Sequence, residues 1–442
     1  MSAPGLLVTA HTDDAARVEL RTIDGRDVTW CTIAGGKHHG AITARGGGAI
    51  ERGVRLAVER QLPLVLVLDS AGAEITEGVT SLHAWGRIAA ALSTATGVVP
   101  TIVAVRGACL SGPALLLGLA DAVVMTSDAF AYVTGPAAVE SFTGVAVSRA
   151  DLGGAGVHST VSGLATLVID DELELDDAVA ELLSYLPAHH LADPPRVTCA
   201  DPTDRGCTAG AVVPTAPTAA YDVRDVVGDV VDHDSFLELR PRHSPNLVIG
   251  LARVDGRSVG VIANQPCFRA GTLDIDASRK AARFVTWCDA FNVPLLTFVD
   301  TPGFEPGRDL EWRGMIRHGA QLVHAYCAAT VPRVCVILRK AYGGAYIVMD
   351  SRGIGNDLCL AWPTAEIAVM GTAPAVQILG SKGVTEDDYE VAFLNPWRAA
   401  ERGFVDQVIA PEETRRAVVS ALAAIETKRD IGIPRKHSNG PL

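Results

Sequence analysis

The sequence predicts an α/β fold made by tandem duplication, and three observations carry that prediction. The apolar strand in Leu62-Pro63-Leu64-Val65-Leu66-Val67-Leu68-Asp69-Ser70-Ala71-Gly72 returns as Val293-Pro294-Leu295-Leu296-Thr297-Phe298-Val299-Asp300-Thr301-Pro302-Gly303. Downstream, Val99-Pro100, an apolar run and Ser111-Gly112 are answered by Val331-Pro332, a second apolar run and Gly343-Gly344. The offset is 231 residues at the first landmark and 232 at the second. Unrelated apolar strands would not keep that register, so the chain holds one domain twice and is not a solenoid.

The elements follow in order. Residues Ala16 to Ile33 alternate apolar and polar around Asp24-Gly25, a hairpin pattern, and Leu247 to Asn264 repeat it around Asp255-Gly256. A helix is expected after each hairpin, near Ala49 to Arg60 and Ala277 to Phe291, then a buried strand, another helix and the next strand. Strands alternating with helices in this way belong to crossover units around a largely parallel sheet. Each copy ends a buried strand in a small-residue turn that opens a helix, where backbone N–H groups can face an anionic oxygen. Two such turns suggest a group passed between two acceptors. The stretch from Ala188 to Ala220 is rich in Pro, Ala and Thr without periodicity and reads as a linker. The expected domains are therefore 1–187 and 221–442, with 188–220 between them. The segment from Pro396 to Lys428 reads as a packing helix and a short strand, followed by a polar tail.

Composition narrows the function. The 442 residues suit two or three domains, and 48% apolar content with 43 glycines suits large α/β cores. A formal charge of −13 argues against a nucleic-acid or anionic-membrane surface, which needs a basic stripe. The nine cysteines are odd in number and form no C-x-x-C pair, so neither a disulfide frame nor a metal site is expected, and a cytoplasmic location is. Met1-Ser2-Ala3-Pro4-Gly5 has no basic start to an apolar run, and no stretch reads as a membrane span. A Gly-x-Ser-x-Gly elbow is missing around Ser70 and Ser111, which argues against a nucleophilic hydrolase.

Four motifs together are specific. They are Phe298-Val299-Asp300-Thr301-Pro302-Gly303-Phe304, Ile316-Arg317-His318-Gly319-Ala320, Arg339-Lys340-Ala341-Tyr342-Gly343-Gly344-Ala345-Tyr346, and Ala361-Trp362-Pro363-Thr364-Ala365-Glu366-Ile367-Ala368-Val369-Met370-Gly371. In that order they resemble the carboxyltransferase (beta) subunits of biotin-dependent acyl-CoA carboxylases of the acetyl/propionyl type, over nearly the whole chain from about Val18. The resemblance implies tandem crotonase-like (ClpP/crotonase) domains, the first on the acyl-thioester side and the second on the biotin side. It implies carboxyl transfer from carboxybiotin to the α carbon of a short-chain acyl-CoA. Biotin would ride on a partner, since no Ala-Met-Lys-Met site is present, and the partners would be a biotin carboxylase and a biotin carboxyl carrier protein. A hexamer, a trimer of dimers, is implied too. Negative charge develops on an oxygen of each reactant, and fixed N–H donors stabilise it. Losing one such donor costs about 2.7 to 4 kcal/mol in the transition state. By resemblance Gly344 and Ala345 hold the biotin oxyanion, and Ser111 and Gly112 the thioester oxyanion. Ala71, Gly72, Gly343, Tyr346 and Ile347 bind substrate, and the apolar Ile347 is expected to accept several short acyl chains.

The departures from similar sequences fall in the first half. Asp69-Ser70-Ala71-Gly72-Ala73-Glu74 stands where Asp-Ser-Gly-Gly-Ala-Arg is usual, and Cys109-Leu110-Ser111-Gly112-Pro113 where Cys-Ala-Gly-Gly-Ala is usual. Thr143-Gly144-Val145 replaces Thr-Gly-Glu, and Gly47-Gly48-Ala49-Ile50 replaces Gly-Glu-Lys-Ile. Pro113 has no N–H to give, yet proline suits the first turn of a helix and the Gly112 N–H remains. The chain also lacks a leading helical segment and is shortened between Gly380 and Tyr389. CoA is the expected carrier, with an acyl carrier protein as the alternative. Two other functions are weighed: a decarboxylase of a malonyl-type thioester, and a weakened homologue acting as an assembly partner. His38-His39 reads as a loop pair, His318 as a packing or contact residue, and Asp69 and Asp300 as caps of the turns that follow their strands.

Overall fold

The structure is a computed structural model that describes residues 15–36, 38–379, 385–428, 430, 432–434, 436 and 439–441. The Met1–Gly5 opening and the start of the shortened 380–389 segment lie outside them. The chain divides into two compact units, Met1–Asp193 and Pro194–Leu442.

In the first unit, Asp24 (φ 46°) and Gly25 (φ 77°) both take left-handed backbone. This type I′ geometry matches the twist of paired strands and folds β1 (Ala16–Ile23) back on β2 (Arg26–Ile33). Strands β3 (Leu64–Ser70), β4 (Thr101–Leu110), β5 (Ala122–Thr126) and β7 (Leu167–Ile169) then add in parallel, and β6 (Phe130–Tyr132) pairs with the far end of β4. Parallel neighbours need crossovers, supplied by the helices Ala44–Arg60 and Val79–Ala95, which share a buried cluster with Ile33, Leu66, Leu68 and Val103. The first helix starts five residues earlier than its pattern suggests. Thr43 Oγ1 caps it at Gly46 N–H, 2.9 Å away, and a Cβ at Gly47 would lie 2.7 Å from that of Ala84. Close helix contact here outweighs the roughly 1 kcal/mol propensity cost of a helical glycine.

The second unit repeats the plan. Asp255 (φ 51°) and Gly256 (φ 73°) turn β9 (Leu247–Val254) into β10 (Arg257–Asn264). The sheet runs β15-β13-β12-β11-β10-β9-β8, with β8 (Leu237–Leu239), β11 (Leu295–Thr301), β12 (Arg333–Tyr342), β13 (Leu358–Ala361) and β15 (Gln407–Val408), while β14 (Glu366–Ala368) pairs with the end of β12. Alternation along β10 covers both faces. Val259, Val261 and Ala263 join a cluster with Val227, Phe298, Trp362 and Val418, and Gly260 faces Cys288 and Phe284 of the helix Ile275–Ala290. The end of the chain carries two helices, Pro396–Glu401 and Thr414–Ile425, on either side of β15, one more than its pattern suggests.

The duplication extends to irregularities. Leu68 pairs with Val105, but Ser70 pairs with Cys109; likewise Val299 pairs with Ile337, but Thr301 with Ala341. Both β4 and β12 therefore bulge at the end of their neighbour, which re-aims the chain that follows. The strand starts match as well: Asp121 Oδ2 accepts the Thr101 N–H at 2.9 Å, and Asp357 Oδ2 the Arg333 N–H at 2.8 Å.

Residues 188–220 fall on both sides of the unit boundary. His190 N–H donates to Val98 O at 3.0 Å in the first unit, and Val197 N–H to Gly256 O at 3.0 Å in the second. The short helix Ala209–Val212 buries Ala209 beside Cys207 and Val223. The isolated bridge of Arg196 with Arg257 and carbonyl contacts hold this stretch, and such contacts leave no periodicity in a sequence.

The two hairpins predict different responses to one substitution. A Cβ at Gly25 meets nothing within 4 Å, whereas at Gly256 it would lie 1.9 Å from Val197 O. Gly25→Ala should cost about 1 to 2 kcal/mol in urea unfolding, the price of a left-handed alanine, and Gly256→Ala at least about 3 kcal/mol, because the 194–199 segment must also lift.

Candidate active site

Both candidate sites are built where a bulged strand turns into a helix. In the second unit β12 ends at Tyr342, and Gly343 (φ 58°) starts the helix Gly343–Val348. The positive φ and Val369 O, 3.0 Å from where a Cβ would sit, together require glycine. The N–H groups of Gly344 and Ala345 open this helix with no acceptor among the described residues. Gly344 is exposed and lies beside the Phe304 ring; Ala345 and Tyr346 are buried, and burial raises the Tyr346 phenol above its usual range. Ile347 is 43% exposed, so its side chain is free to line a pocket rather than only to pack the helix.

In the first unit β4 ends at Leu110, and Gly112–Leu119 forms a 3-10 helix with Pro113 in its first turn. Ser111, between them, takes φ 62° and ψ −141°. Its N–H donates to Tyr132 O at 2.9 Å. Gly112 rests on the Trp85 ring, where a Cβ would lie 2.6 Å away. Gly72 (φ 111°) comes alongside, with its Cβ position 3.4 Å from Leu110 O and 3.5 Å from Ser111 Cβ. Ala71 N–H donates to His39 O at 3.0 Å, and Gly72 N–H to Ser70 Oγ at 3.2 Å. The expected site residues thus gather as two groups, Ala71, Gly72, Ser111 and Gly112 in one unit and Gly343 to Ile347 in the other. Strand register makes Ser111 the counterpart of Gly343, Gly112 of Gly344, and Pro113 of Ala345. The second turn offers two open N–H groups. The first offers one, at Gly112.

The strand-end aspartates hold these turns, and neither caps the turn after its own strand. Asp69 Oδ1 accepts the Ala108 N–H across the sheet at 3.0 Å, and Asp300 Oδ1 the Lys340 N–H at 3.1 Å. Asp300 Oδ2 also accepts from Tyr221 Oη at 2.9 Å and Arg339 Nε at 3.0 Å. Burial raises the Asp300 carboxyl, with Arg339 opposing. The Arg339 guanidinium goes on to donate to Pro214 O, Ala216 O and Ala219 O at 3.3, 3.2 and 2.9 Å. In the first unit Gly107 stands in place of Arg339, and a Cβ there would lie 2.6 Å from Asp69 Oδ1.

A second buried carboxylate follows the Gly343–Val348 helix. Asp350 accepts from Arg333 Nη1 at 2.9 Å, Asn356 Nδ2 at 3.1 Å and Thr297 Oγ1 at 3.4 Å. It is fully buried, which lifts its carboxyl to about 6 against the pull of Arg333. Glu74 is the opposite case: the Thr76 hydroxyl at 2.6 Å, the Thr76 N–H at 3.0 Å and His38 hold its carboxyl down to about 2. His318 contacts Gln321 Oε1 at 3.2 Å within its helix. Trp85 and Tyr221 escaped sequence reasoning, and Phe304 and Arg339 stood in the four motifs with no role given to them. Only Arg339, a charge directly after the apolar run 334–338 and still within β12, carried a local signal of burial with a partner. Among the described residues, no group of three or more His, Cys, Asp or Glu could hold a metal, and no helix is long and apolar enough to cross a membrane.

Known proteins are similar to this chain in sequence and fold. The carboxyl transferase domain family matches residues 20–439. The methylmalonyl-CoA decarboxylase subunit alpha of Veillonella parvula is 43% identical over 430 residues, 95% of this chain and 84% of its own length. The propionyl-CoA carboxylase beta chain of Saccharopolyspora erythraea is 42% identical over 447 residues, 95% of this chain and 82% of its own length. A crystal structure of transcarboxylase 12S, described as a hexamer with hydrolysed methylmalonyl-coenzyme A bound, superposes with a TM-score of 0.95 at 39% identity. It covers 97% of this chain and 85% of its own.

Two expectations follow from the buried carboxylates. Arg339→Met leaves Asp300 buried with its cation gone and should cost about 3 to 5 kcal/mol; Arg339→Met with Asp300→Asn should recover much of that, measured as a double-mutant cycle in urea. Asp350 has a raised carboxyl, so the folded chain holds its proton more tightly than the unfolded chain with its ordinary value of 3.8. Its contribution is full below 3.8 and is lost as pH climbs through about 6. Asp350→Asn should flatten the fall in stability between those two pH values.

Proposed function

Since the chain belongs to the carboxyl transferase domain family, we propose that it is the carboxyltransferase subunit of a biotin-dependent acyl-CoA carboxylase. It moves a carboxyl group from carboxybiotin to the α carbon of a short-chain acyl-CoA. One observation carries the assignment of the site: both units end a bulged strand in a helix start with open N–H, at Gly112 in the first and at Gly344 and Ala345 in the second, the positions that the resemblance marks. Carboxybiotin, brought by a carrier protein, supplies the carboxyl group and takes back the α proton at its ureido nitrogen, so the exchange balances. The unaccepted N–H groups of Gly344 and Ala345 suit a ureido oxygen, which accepts hydrogen bonds and has none to donate.

The chain's own contribution is fixed charge complementarity. Gly344 and Ala345 hold the biotin-side oxyanion without reorganising, and the Gly112 N–H faces the thioester oxygen as its α proton leaves. Ala71 and Gly72 wall the thioester side. Gly343, Tyr346 and Ile347 bind substrate, with Ile347 lining the acyl pocket, and an apolar Ile347 accepts acetyl and propionyl alike, because one methylene in such a pocket is worth only about 1 to 3 kcal/mol. The partners are a biotin carboxylase and a biotin carboxyl carrier protein, and the assembly is hexameric, as described for transcarboxylase 12S. The domains are the acyl-thioester half, 1–187, and the biotin half, 221–442, joined by 188–220.

A second reading runs the transfer in reverse, as decarboxylation of a malonyl-type thioester. Its support is the similarity to the Veillonella parvula decarboxylase subunit and to a namesake in Propionigenium modestum, 43% identical over 396 residues. Purified chain with methylmalonyl-CoA labelled in its free carboxyl, with and without free biotin, tests both. Biotin-dependent loss of label and formation of propionyl-CoA is expected. Ala345→Pro, which installs the residue the first unit already carries at the matching position, should fold and lower kcat at least about 100-fold by removing one donor. No transfer in either direction, or loss of label that ignores biotin, sinks the carboxyltransferase reading.

A further inference from the structure

The two units diverge most sharply at position 111. Gly343 takes its positive φ freely, but its counterpart Ser111 holds φ 62° and ψ −141°, a region nearly confined to glycine. A serine there carries backbone strain that a glycine would avoid. Its N–H is already committed to Tyr132 O at 2.9 Å. Its hydroxyl caps nothing, bonds to no group among the described residues and belongs to an exposed residue. Two positions on, Pro113 has no N–H where Ala345 offers one. The first turn is thus one backbone donor short, and it holds one unspent side-chain donor beside the open Gly112 N–H.

We propose that the Ser111 hydroxyl is a catalytic donor on the acyl-thioester side, supplying to the thioester carbonyl oxygen the hydrogen bond that Pro113 cannot. The proposal rests on the reading that this turn receives the thioester. As the α proton leaves, charge builds on that oxygen, and a hydrogen bond from O–H to an oxyanion strengthens with it. Ser111 keeps its proton throughout, and no bond to Oγ forms or breaks. Glu74, held as an anion by Thr76 and His38, is an acceptor and supplies no donor in its place.

Wild-type carboxyl transfer between biotin and propionyl-CoA or methylmalonyl-CoA is measured first, and no transfer at all would overturn the functional reading itself. With transfer in hand, Ser111→Gly should raise the melting temperature by releasing strain while lowering kcat about 100-fold, and Ser111→Ala should lower kcat equally without the gain in stability. Adding Pro113→Ala to Ser111→Gly restores a backbone N–H and should bring kcat back to within about tenfold of wild type, a rescue that a packing role would not give. Unchanged kcat in both single variants overturns the proposal. So does a covalent acyl adduct on Ser111 in the intact-mass spectrum, which would make the hydroxyl a nucleophile.

Discussion

Everything at the candidate sites depends on a carboxylate reaching across the sheet to hold a bulge. Asp69 and Asp300 each end a strand, and each accepts the backbone N–H of a neighbouring strand where regular pairing has just been lost, at Ala108 and Lys340. A bulge left alone would expose unpaired donors and could relax in more than one way. Fixed by an aspartate, it sends the strand into a tight turn with open N–H groups among the described residues, at Gly112 in the first unit and at Gly344 and Ala345 in the second. The sheet satisfies its own backbone up to that point and stops there, and the unmet donors are what a developing oxyanion can use.

The two units share this frame and fasten it differently. In the second, Arg339 neutralises Asp300 and also gathers three carbonyls of the 214–219 stretch. A buried aspartate held only by neutral donors would be costly, and the cation offsets that cost while recruiting an irregular segment into the support of the site. In the first unit, Gly107 gives Asp69 room but no charge, and the burden of shape falls on Trp85 beneath Gly112 and on Gly72 beside Ser111. The second unit is thus braced by an ion pair, and the first by packing. The sequence departures from the family are concentrated in the unit with the looser fastening.

Much of this was legible in the chain before any coordinates. The offset of 231 to 232 residues reports the duplication because both copies must keep the same strand lengths and the same crossover spans to bury two similar sheets. Asp24-Gly25 and Asp255-Gly256 report their hairpins because only a few residue pairs tolerate two left-handed positions in a row. Gly343-Gly344 and Ser111-Gly112 could be picked out because small residues at a strand end are what close backbone approach requires.

What the tertiary structure decided is which of those groups remain unspent. Sequence could name Ser111 and Gly112 as a pair of donors, but only the pairing of β6 with the end of β4 commits the Ser111 N–H to Tyr132 and leaves its hydroxyl free. Sequence could mark Asp300 as a turn residue, yet its partners Tyr221, Arg339 and Lys340 lie 79, 39 and 40 residues away. A local pattern fixes backbone conformation, because that is governed by near neighbours. Whether a donor is satisfied is governed by what the fold brings against it, and at these two turns that difference separates a packed loop from a site.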